Sequence, residues 1–399
     1  MNKSDSSKFS VQYRNQLLLV SGGLISGILL SLPLWSATGT FPTFPLFEFI
    51  GQPNSTTSVG LLVALLIGLI ALNIPKYTKT GIYISLPALL IILLLDQQRW
   101  QPWAYQYFLM LIPLLFLSKQ KNDEGQKSTL QIHKLVLFGV YLWGAIHKFH
   151  PSFVSVFQNS LLSPITKTMQ PGTMVDLVNF TAYMVPFVEV FIAIGFLFPK
   201  LRKAAVITTI GTHVFILFLL SPLVKTSLSN SVVWPWNIVM PLMAINLFWK
   251  DGFEFKQLTS KSLRPITLVI VFLVVIAPVL FYVKAWDRYL SFNLYSGKQQ
   301  RVIVYFPSNS IKKLPPEWHD QLKDVDNQPR YKAISISAWA MADLNTPFVS
   351  ERRNILTITK HICNKSNGVR PQFYIDYKHI PDKGNLLLQC NELYKIKDF

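Results

Sequence analysis

The chain has 399 residues, of which half are hydrophobic and 15% are charged. Its mean hydropathy is positive, which excludes an ordinary soluble protein and predicts an integral membrane protein. The formal net charge is +18, but the cations lie in short loops between apolar runs. This distribution argues against nucleic acid as a partner and favours contact with a lipid bilayer that carries anionic headgroups.

Nine apolar windows follow one another along the chain, each a candidate membrane-spanning helix. They cover residues 17–34, 58–74, 81–95, 105–118, 130–147, 178–198, 204–220, 232–249 and 265–283. We interpret the first window as a retained span, because it is long and no small-residue cleavage pattern of a signal peptide follows it. The sequence therefore predicts a mainly α, polytopic bundle of about nine transmembrane helices.

The basic residues are distributed unevenly between alternate loops, and this asymmetry predicts the orientation. With the N-terminus in the cytoplasm, every loop rich in Lys and Arg falls on the inner side. These loops contain Lys76, Lys79, Lys119, Lys121, Lys127, Lys200, Arg202, Lys203, Lys250, Lys256, Lys261 and Arg264. An odd number of spans then places the C-terminal region outside the cytoplasm, on an inner or plasma membrane.

After residue 284 the composition changes to short strand-like runs at residues 301–306 and 372–378, with turn residues between them. We therefore predict two domains, a transmembrane bundle over 1–284 and a small extracytoplasmic α+β domain over 285–399. Both cysteines, Cys363 and Cys390, fall in the second domain. They form no CxxC or Cys/His cluster that predicts a metal site, and an exported location permits a disulfide between them.

Ionisable residues inside apolar windows are candidate functional residues, because a charge within the bilayer is costly unless it is paired or hydrated. At the end of the fifth window, His147, Lys148 and His150 place an amine and two imidazoles together. In one interpretation the Lys148 side chain extends to the outer headgroups. In the other it is enclosed in a cavity, where desolvation favours the neutral amine and makes Lys148 a general base.

Two further groups of polar residues are candidates for supporting roles. Glu189 and His213 are each about twelve residues from the turn near Leu201, which places both at a depth of roughly 18 Å. They are predicted to pair, either as a structural hydrogen bond or in a proton path. The third group predicts an aromatic anchoring belt or the mouth of a cavity shared with Lys148. It consists of Asp96, Arg99, Trp100, Trp103, Tyr105, Trp236 and Asn237.

The sequence resembles the HTTM family of membrane proteins, to which the vitamin K-dependent gamma-glutamyl carboxylases belong. The similar positions are Leu94, Leu95, Asp96, Trp100, Tyr105, Tyr107, the stretch around Lys148, residues 189–195, Phe198, Arg202 and His213. The resemblance covers most of the bundle and implies that Lys148 is the base that deprotonates a quinol. The small bundles of the DoxX and MauE type are similar at a greater distance and imply a redox accessory role.

The chain departs from the family pattern near this lysine. His147 and His150 replace the first lysine of the motif and the acidic residue that follows it, and Pro102 and Trp103 stand in place of an Asn-His pair. The resemblance therefore implies a carboxylase-like or quinol-dependent enzyme and not gamma-glutamyl carboxylation itself.

Two functions are predicted. The first is a membrane enzyme in which Lys148, assisted by His147 or His150, acts as a base on a lipid-soluble, quinol-like substrate at the outer leaflet. A quinone or hydroquinone is the cofactor that this function implies. The alternative is a noncatalytic membrane protein that holds or matures an exported protein or peptide, or serves as a redox accessory.

Overall fold

The computed structural model describes residues 3–47, 49, 51, 54–117, 123–224, 226, 230–258, 264–297, 299–376 and 384–398. Ser118, Lys119, Lys121, Lys261 and Lys378, which entered the sequence predictions, lie outside these described residues. By its internal contacts the chain divides into two compact units. The first comprises Met1–Leu30, Val59–Ile92 and Trp100–Ser296, and the second Ser31–Ser58, Leu93–Arg99 and Gly297–Phe399.

Each predicted apolar window overlaps a helix. The helices up to residue 283 are α1 (Lys3–Leu30), α2 (Leu32–Ser36), α3 (Ser55–Leu72), α4 (Thr78–Leu95), α5 (Pro102–Leu117), α6 (Asp123–Ile146), α7 (Pro151–Val156), α8 (Ser163–Thr166), α9 (Thr173–Leu197), α10 (Arg202–Leu219), α11 (Val233–Phe248), α12 (Phe255–Leu258) and α13 (Arg264–Val271). A π-helical segment, Phe157–Leu162, joins α7 to α8. Helix α13 continues through a π-helical turn and a 3₁₀-helix to Val283.

Within the described residues, six helices are long and apolar enough to cross a membrane. They are Ser55–Leu72, Thr78–Leu95, Glu124–Ile146, Thr173–Leu197, Arg202–Leu219 and Arg264–Val283. The other three predicted spans correspond to α1, α5 and α11, of which α11 is apolar but has 16 residues. A multi-pass helical membrane protein is therefore supported, whereas the number of nine spans and the orientation stay predictions.

Helices α3 and α4 approach each other closely where glycines face the neighbouring backbone. A Cβ atom on Gly81 would lie 2.4 Å from the backbone nitrogen of Leu72, and one on Gly68 would lie 2.7 Å from that of Ser85. Small residues allow this approach between helices in a bilayer, where association depends on close van der Waals contact.

We expect Gly81→Ala to destabilise the bundle by about 1–3 kcal/mol, because backbone atoms cannot move aside as a flexible side chain can. Thermal unfolding of detergent-solubilised protein, followed by circular dichroism, measures the change. The matched control is Gly60→Ala in α3, where no atom lies within 4 Å of the added Cβ. The control should be neutral or slightly more stable, since alanine is the better helix former. Equal stability of the two variants would contradict the close backbone contact.

The second unit contains a small antiparallel sheet. Its strands are β1 (Arg301–Pro307), β2 (Lys323–Asp324), β3 (Tyr331–Ser335), β4 (Gln372–Asp376) and β5 (Asn385–Gln389), in the order β2-β3-β1-β4-β5. Along β1, alternate side chains Val302, Val304 and Phe306 are buried, as the two-residue period of a strand requires. Helices α14 (Ile336–Leu344) and α15 (Arg352–Lys365) complete the α+β arrangement. The predicted α+β composition of this region is confirmed.

Two segments from predicted outer loops pack within the second unit. The backbone nitrogen of Phe41 donates to the Asp343 carboxylate at 2.7 Å, and that of Val349 donates to Gln98 Oε1 at 2.9 Å. The predicted boundary at residue 285 differs from this division, because residues 285–296 belong to the first unit. Tyr289 in this stretch is 1% exposed.

A disulfide joins Cys363 in α15 to Cys390, with the two Cα atoms 5.9 Å apart. It ties the 3₁₀-helix Cys390–Asp398 to the helical layer of the second unit. The pairing that the sequence permitted is therefore formed.

Candidate functional site

A break after α6 positions the candidate base. Helix α6 ends at Ile146, and its last turn tightens as Lys148 N donates to the Ala145 carbonyl at 2.9 Å. Pro151 begins α7, and His150 before it is extended, with φ −151° and ψ 139°. A residue before proline disfavours the α conformation, so the local sequence His150-Pro151 interrupts the helix beside Lys148.

Lys148 forms an ion pair with Glu189. Its Nζ atom lies 2.7 Å from Glu189 Oε1 and 2.5 Å from Oε2. The side chains are 15% and 9% exposed, respectively. Glu189 points inward because it belongs to the buried face of α9, on which Ala182, Pro186 and Ala193 recur at helical spacing.

The predicted pair between Glu189 and His213 is not formed, because each residue has a different partner. His213 in α10 contacts the hydroxyl of Tyr141 through Nε2 at 2.6 Å and Asn237 Oδ1 through Nδ1 at 2.8 Å. Asn237 in α11 also donates to the Val233 carbonyl at 2.8 Å. The three helices α6, α10 and α11 are thus connected by a buried polar chain.

The ion pair and the polar chain line the same cavity, which has a volume of about 140 Å³. Its wall is otherwise mostly apolar and aromatic. The lining residues are Val140, Tyr141, Gly144, Lys148, Phe153, Phe157, Leu161, Val185, Glu189, Thr212, His213, Phe215, Ile216, Leu219, Leu220, Val233, Trp236, Asn237, Met240, Phe292, Leu294 and Tyr295. A few convergent polar groups in an apolar cavity are characteristic of a small-molecule site.

Gly144 leaves room beside the charged pair. A Cβ atom at this position would lie 3.6 Å from Glu189 Oε2 and 3.8 Å from Lys148 Nζ. Tyr141, Gly144 and Lys148 follow at spacings of three and four, which brings them to one side of the helix. A larger side chain at Gly144 would therefore extend into the space next to the ion pair.

Lys148 also lines a second, more open groove of about 540 Å³. His150 belongs to this groove, where its Nδ1 accepts from the backbone nitrogen of Ser152 and caps α7. His147 lines neither space and packs instead in the bundle, with its Nδ1 3.2 Å from the Tyr282 hydroxyl and its ring stacked on that residue. Of the three predicted catalytic residues, Lys148 alone thus lines the cavity that contains the ion pair.

The aromatic residues of the predicted belt lie at different places in the bundle. Trp236 lines the cavity and donates through Nε1 to Gln106 Oε1 at 2.8 Å. Trp103 is 2% exposed, and a Cβ atom on Gly27 would lie 2.6 Å from its ring. Trp103 therefore occupies a core position and does not belong to an anchoring belt. Trp100 and Tyr105 pack edge to face at 5.9 Å.

Asp96 and Arg99 belong to the second unit. They form an ion pair, with Arg99 Nε 3.9 Å from Asp96 Oδ2. Asp96 Oδ1 accepts from the backbone nitrogens of Phe44 and Gln98, both at 3.0 Å. Burial raises the pKa of the Asp96 carboxyl, a shift opposed by Arg99 and by these two backbone donors. The pair therefore holds the segment between α4 and α5 in place.

No family model, curated protein or solved structure matches this chain. The resemblance to the HTTM family therefore rests on the residues named above.

Tyr141 and Tyr295 also line the cavity, although the sequence did not predict either of them as a site residue. The Tyr295 hydroxyl accepts from Asn230 Nδ2 at 3.0 Å. Burial raises the pKa of Tyr295 to about 12, against the opposing effect of this hydrogen bond, so the phenol is neutral at physiological pH. Tyr141 precedes Lys148 by two helical turns, and this spacing is the signal in the sequence that could have identified Tyr141 as a site residue.

Among the described residues, no group of three or more His, Cys, Asp or Glu side chains is arranged to hold a metal ion. The groups available at the cavity are an ammonium, a carboxylate, an imidazole, phenols and an amide. This set suits hydrogen bonding and proton transfer to an organic molecule.

Proposed function

We propose that this chain is an integral membrane enzyme that binds a lipid-soluble, quinol-like substrate and removes a proton from its hydroxyl group. The observation that carries the proposal is the partly enclosed cavity in which the Lys148–Glu189 ion pair meets an apolar, aromatic wall. The pair lies beside a helix interruption. In membrane proteins, irregular backbone at depth is tolerated where it is buried or lines a cavity, and such breaks form binding sites.

The size of the cavity favours a single ring. An apolar protein cavity of roughly 150 Å³ is large enough to bind benzene, and the cavity here measures about 140 Å³. Aromatic residues such as Phe153, Phe157 and Trp236 offer ring contacts. The charges of Lys148 and Glu189 compensate each other, which suits a neutral ligand with a polar edge.

The ion pair divides the catalytic roles between its two members. As an ammonium ion Lys148 cannot accept a proton, so we assign the base to the Glu189 carboxylate. The substrate O–H bond breaks, its proton passes to a carboxylate oxygen, and the electron pair remains on the substrate oxygen. The Lys148 ammonium then stabilises this oxyanion through a charge-assisted hydrogen bond. Lys148 thereby keeps an essential role, although not the role of base that the sequence suggested.

We propose an extracytoplasmic location for the second unit, on which three features bear. Residues 31–58 and 93–99 pack in one unit with residues 297–399, so an even number of crossings must separate them. The nine predicted spans satisfy this condition. The disulfide between Cys363 and Cys390 is typical of exported domains, and the basic loops predict the opposite side as cytoplasmic.

Ligand binding by Lys148→Met tests the proposal. We expect purified wild-type protein in detergent to bind 2,6-dimethyl-1,4-hydroquinone by isothermal titration calorimetry, and solvent extracts to contain a retained quinone. The Kd should rise at least tenfold in Lys148→Met, because a hydrogen bond to a charged group contributes about 1.5–3 kcal/mol. The control, Lys200→Met, changes an exposed lysine in the turn between α9 and α10 and should bind normally. Unaltered affinity in Lys148→Met, or no binding by the wild type, would exclude this function.

The noncatalytic alternative, a protein that holds an exported partner, has one observation in its favour. Strand β5 is at the edge of the sheet, and Leu387 within it is 61% exposed. An unpaired edge with an apolar side chain can accept a strand from another protein. In that case Lys148→Met would still bind the exported partner, whereas Leu387→Lys would abolish this binding.

A further inference from the structure

The direction of each hydrogen bond around His213 follows from the Asn237 amide, which forms one end of the buried polar chain. Asn237 Nδ2 donates to the Val233 carbonyl oxygen, one helical turn earlier, at 2.8 Å. The amide therefore directs its oxygen, Oδ1, at His213 Nδ1, which is 2.8 Å away. Because an amide oxygen accepts and does not donate, Nδ1 carries the hydrogen in this pair.

With a hydrogen on Nδ1, a neutral imidazole accepts at Nε2. The group facing Nε2 is the Tyr141 hydroxyl, at 2.6 Å, so Tyr141 is the donor in this contact. Thr209 is also beside Tyr141, but its hydroxyl donates to the Ala205 carbonyl at 2.9 Å. The hydrogen of Tyr141 is thus donated to His213 and is not available to a ligand, whereas the Tyr141 oxygen retains the capacity to accept.

Tyr141 and His213 both line the cavity. A ligand atom that approaches the Tyr141 oxygen must therefore bring its own hydrogen. We infer that the cavity selects the hydroxyl-bearing, reduced form of its ring ligand over the carbonyl-bearing, oxidised form, and that Tyr141 is the residue that distinguishes them. His213 and Asn237 act through Tyr141 as positioning residues. The inference rests on the proposed function and specifies the oxidation state of the substrate.

The charged end of the cavity reinforces this selection. The Glu189 carboxylate also accepts and does not donate when ionised. Tyr141 and Glu189 both line the cavity, so a ligand there meets two groups that accept hydrogen bonds. Donors at the cavity such as Lys148, Thr212 and Tyr295 do not oppose the preference, because a hydroxyl oxygen can accept as well as donate.

Binding of the reduced and the oxidised form of one ring tests the inference. Wild-type protein in detergent should bind 2,6-dimethyl-1,4-hydroquinone about tenfold more tightly than 2,6-dimethyl-1,4-benzoquinone. This ratio corresponds to one hydrogen bond that the quinone cannot form. In Tyr141→Phe the ratio should fall close to one. The matched control is Tyr83→Phe, which alters an exposed tyrosine of α4 and should preserve the wild-type ratio.

Asn237→Asp provides a second variant, which keeps the tyrosine hydroxyl but changes the direction of its hydrogen bond. A carboxylate at this position favours a protonated His213, whose Nε2 then donates to Tyr141 and frees the tyrosine hydrogen for the ligand. Because this hydrogen can be donated to a quinone carbonyl or to a hydroquinone hydroxyl, the variant should bind the two rings about equally. A loss of affinity caused by structural damage alone would lower both affinities and would not change their ratio.

The outcomes separate this inference from the proposed function. If neither ring binds to the wild type, the proposed function fails and the inference fails with it. If the hydroquinone binds but the ratio is one in the wild type, or survives in both Tyr141→Phe and Asn237→Asp, the oxidation-state preference is overturned while the proposed site stands.

Discussion

Glu189→Gln is expected to destabilise the bundle by about 3–5 kcal/mol, because it leaves the Lys148 ammonium buried without a counterion. Lys148 Nζ has both Glu189 oxygens within 2.7 Å, and its side chain is 15% exposed. A neutral amide provides one weaker acceptor and no compensating charge. Reversible unfolding in mixed micelles, followed by tryptophan fluorescence, gives the free energy.

A double-mutant cycle distinguishes loss of the pair from general damage to α9. Lys148→Met combined with Glu189→Leu removes both charges and should be markedly more stable than Glu189→Gln alone, since replacing a buried ion pair by apolar residues is often neutral. Glu124→Gln, at an exposed position in α6, should have little effect. If the double variant is as unstable as the sum of its single changes, the two residues are not coupled and the ion pair is incorrect.

Removal of the disulfide should destabilise the second unit by about 3–4 kcal/mol, as chain entropy predicts for a cross-link of this span. Cys363 and Cys390 are separated by 27 residues, and the bond connects α15 to the C-terminal 3₁₀-helix. The variant is Cys363→Ala with Cys390→Ala in the full chain. Pulse proteolysis in a urea series, with mass spectrometry of peptides from residues 301–376, measures unfolding of this unit.

The same cysteines test the location of the second unit. If it is exported, the wild-type thiols should resist alkylation by a maleimide until a reductant is added, because the disulfide forms in an oxidising compartment. Thiols that react in intact cells without reductant would contradict both the bond and the proposed extracytoplasmic side. The control is the double alanine variant, which should show no mass shift under either condition.

The sequence identified Lys148, Glu189 and His213 as candidate residues, but the predicted pairing of Glu189 with His213 was wrong. A lysine and a glutamate inside apolar windows are costly, and this cost identified Lys148 and Glu189. Equal distances from the turn near Leu201 predict a similar depth for His213 and Glu189, but depth does not determine which faces of two helices meet. In the structure Glu189 pairs with Lys148, whereas His213 contacts Tyr141 and Asn237. Trp103 was predicted in an anchoring belt or at a cavity mouth but lies in the core, because interfacial and core tryptophans have similar local sequences.

The sequence by itself determined the membrane class, the helical windows, the interruption at His150-Pro151 and the α+β character of residues 301–376. These properties depend on hydropathy, local backbone preference and residue period, which neighbouring residues along the chain set. The tertiary structure decided the partners of Lys148 and His213, the formation of the cavity and the packing of residues 31–58 and 93–99 with the C-terminal region. Those properties depend on the rotation of packed helices and on contacts between distant segments, which no local pattern specifies.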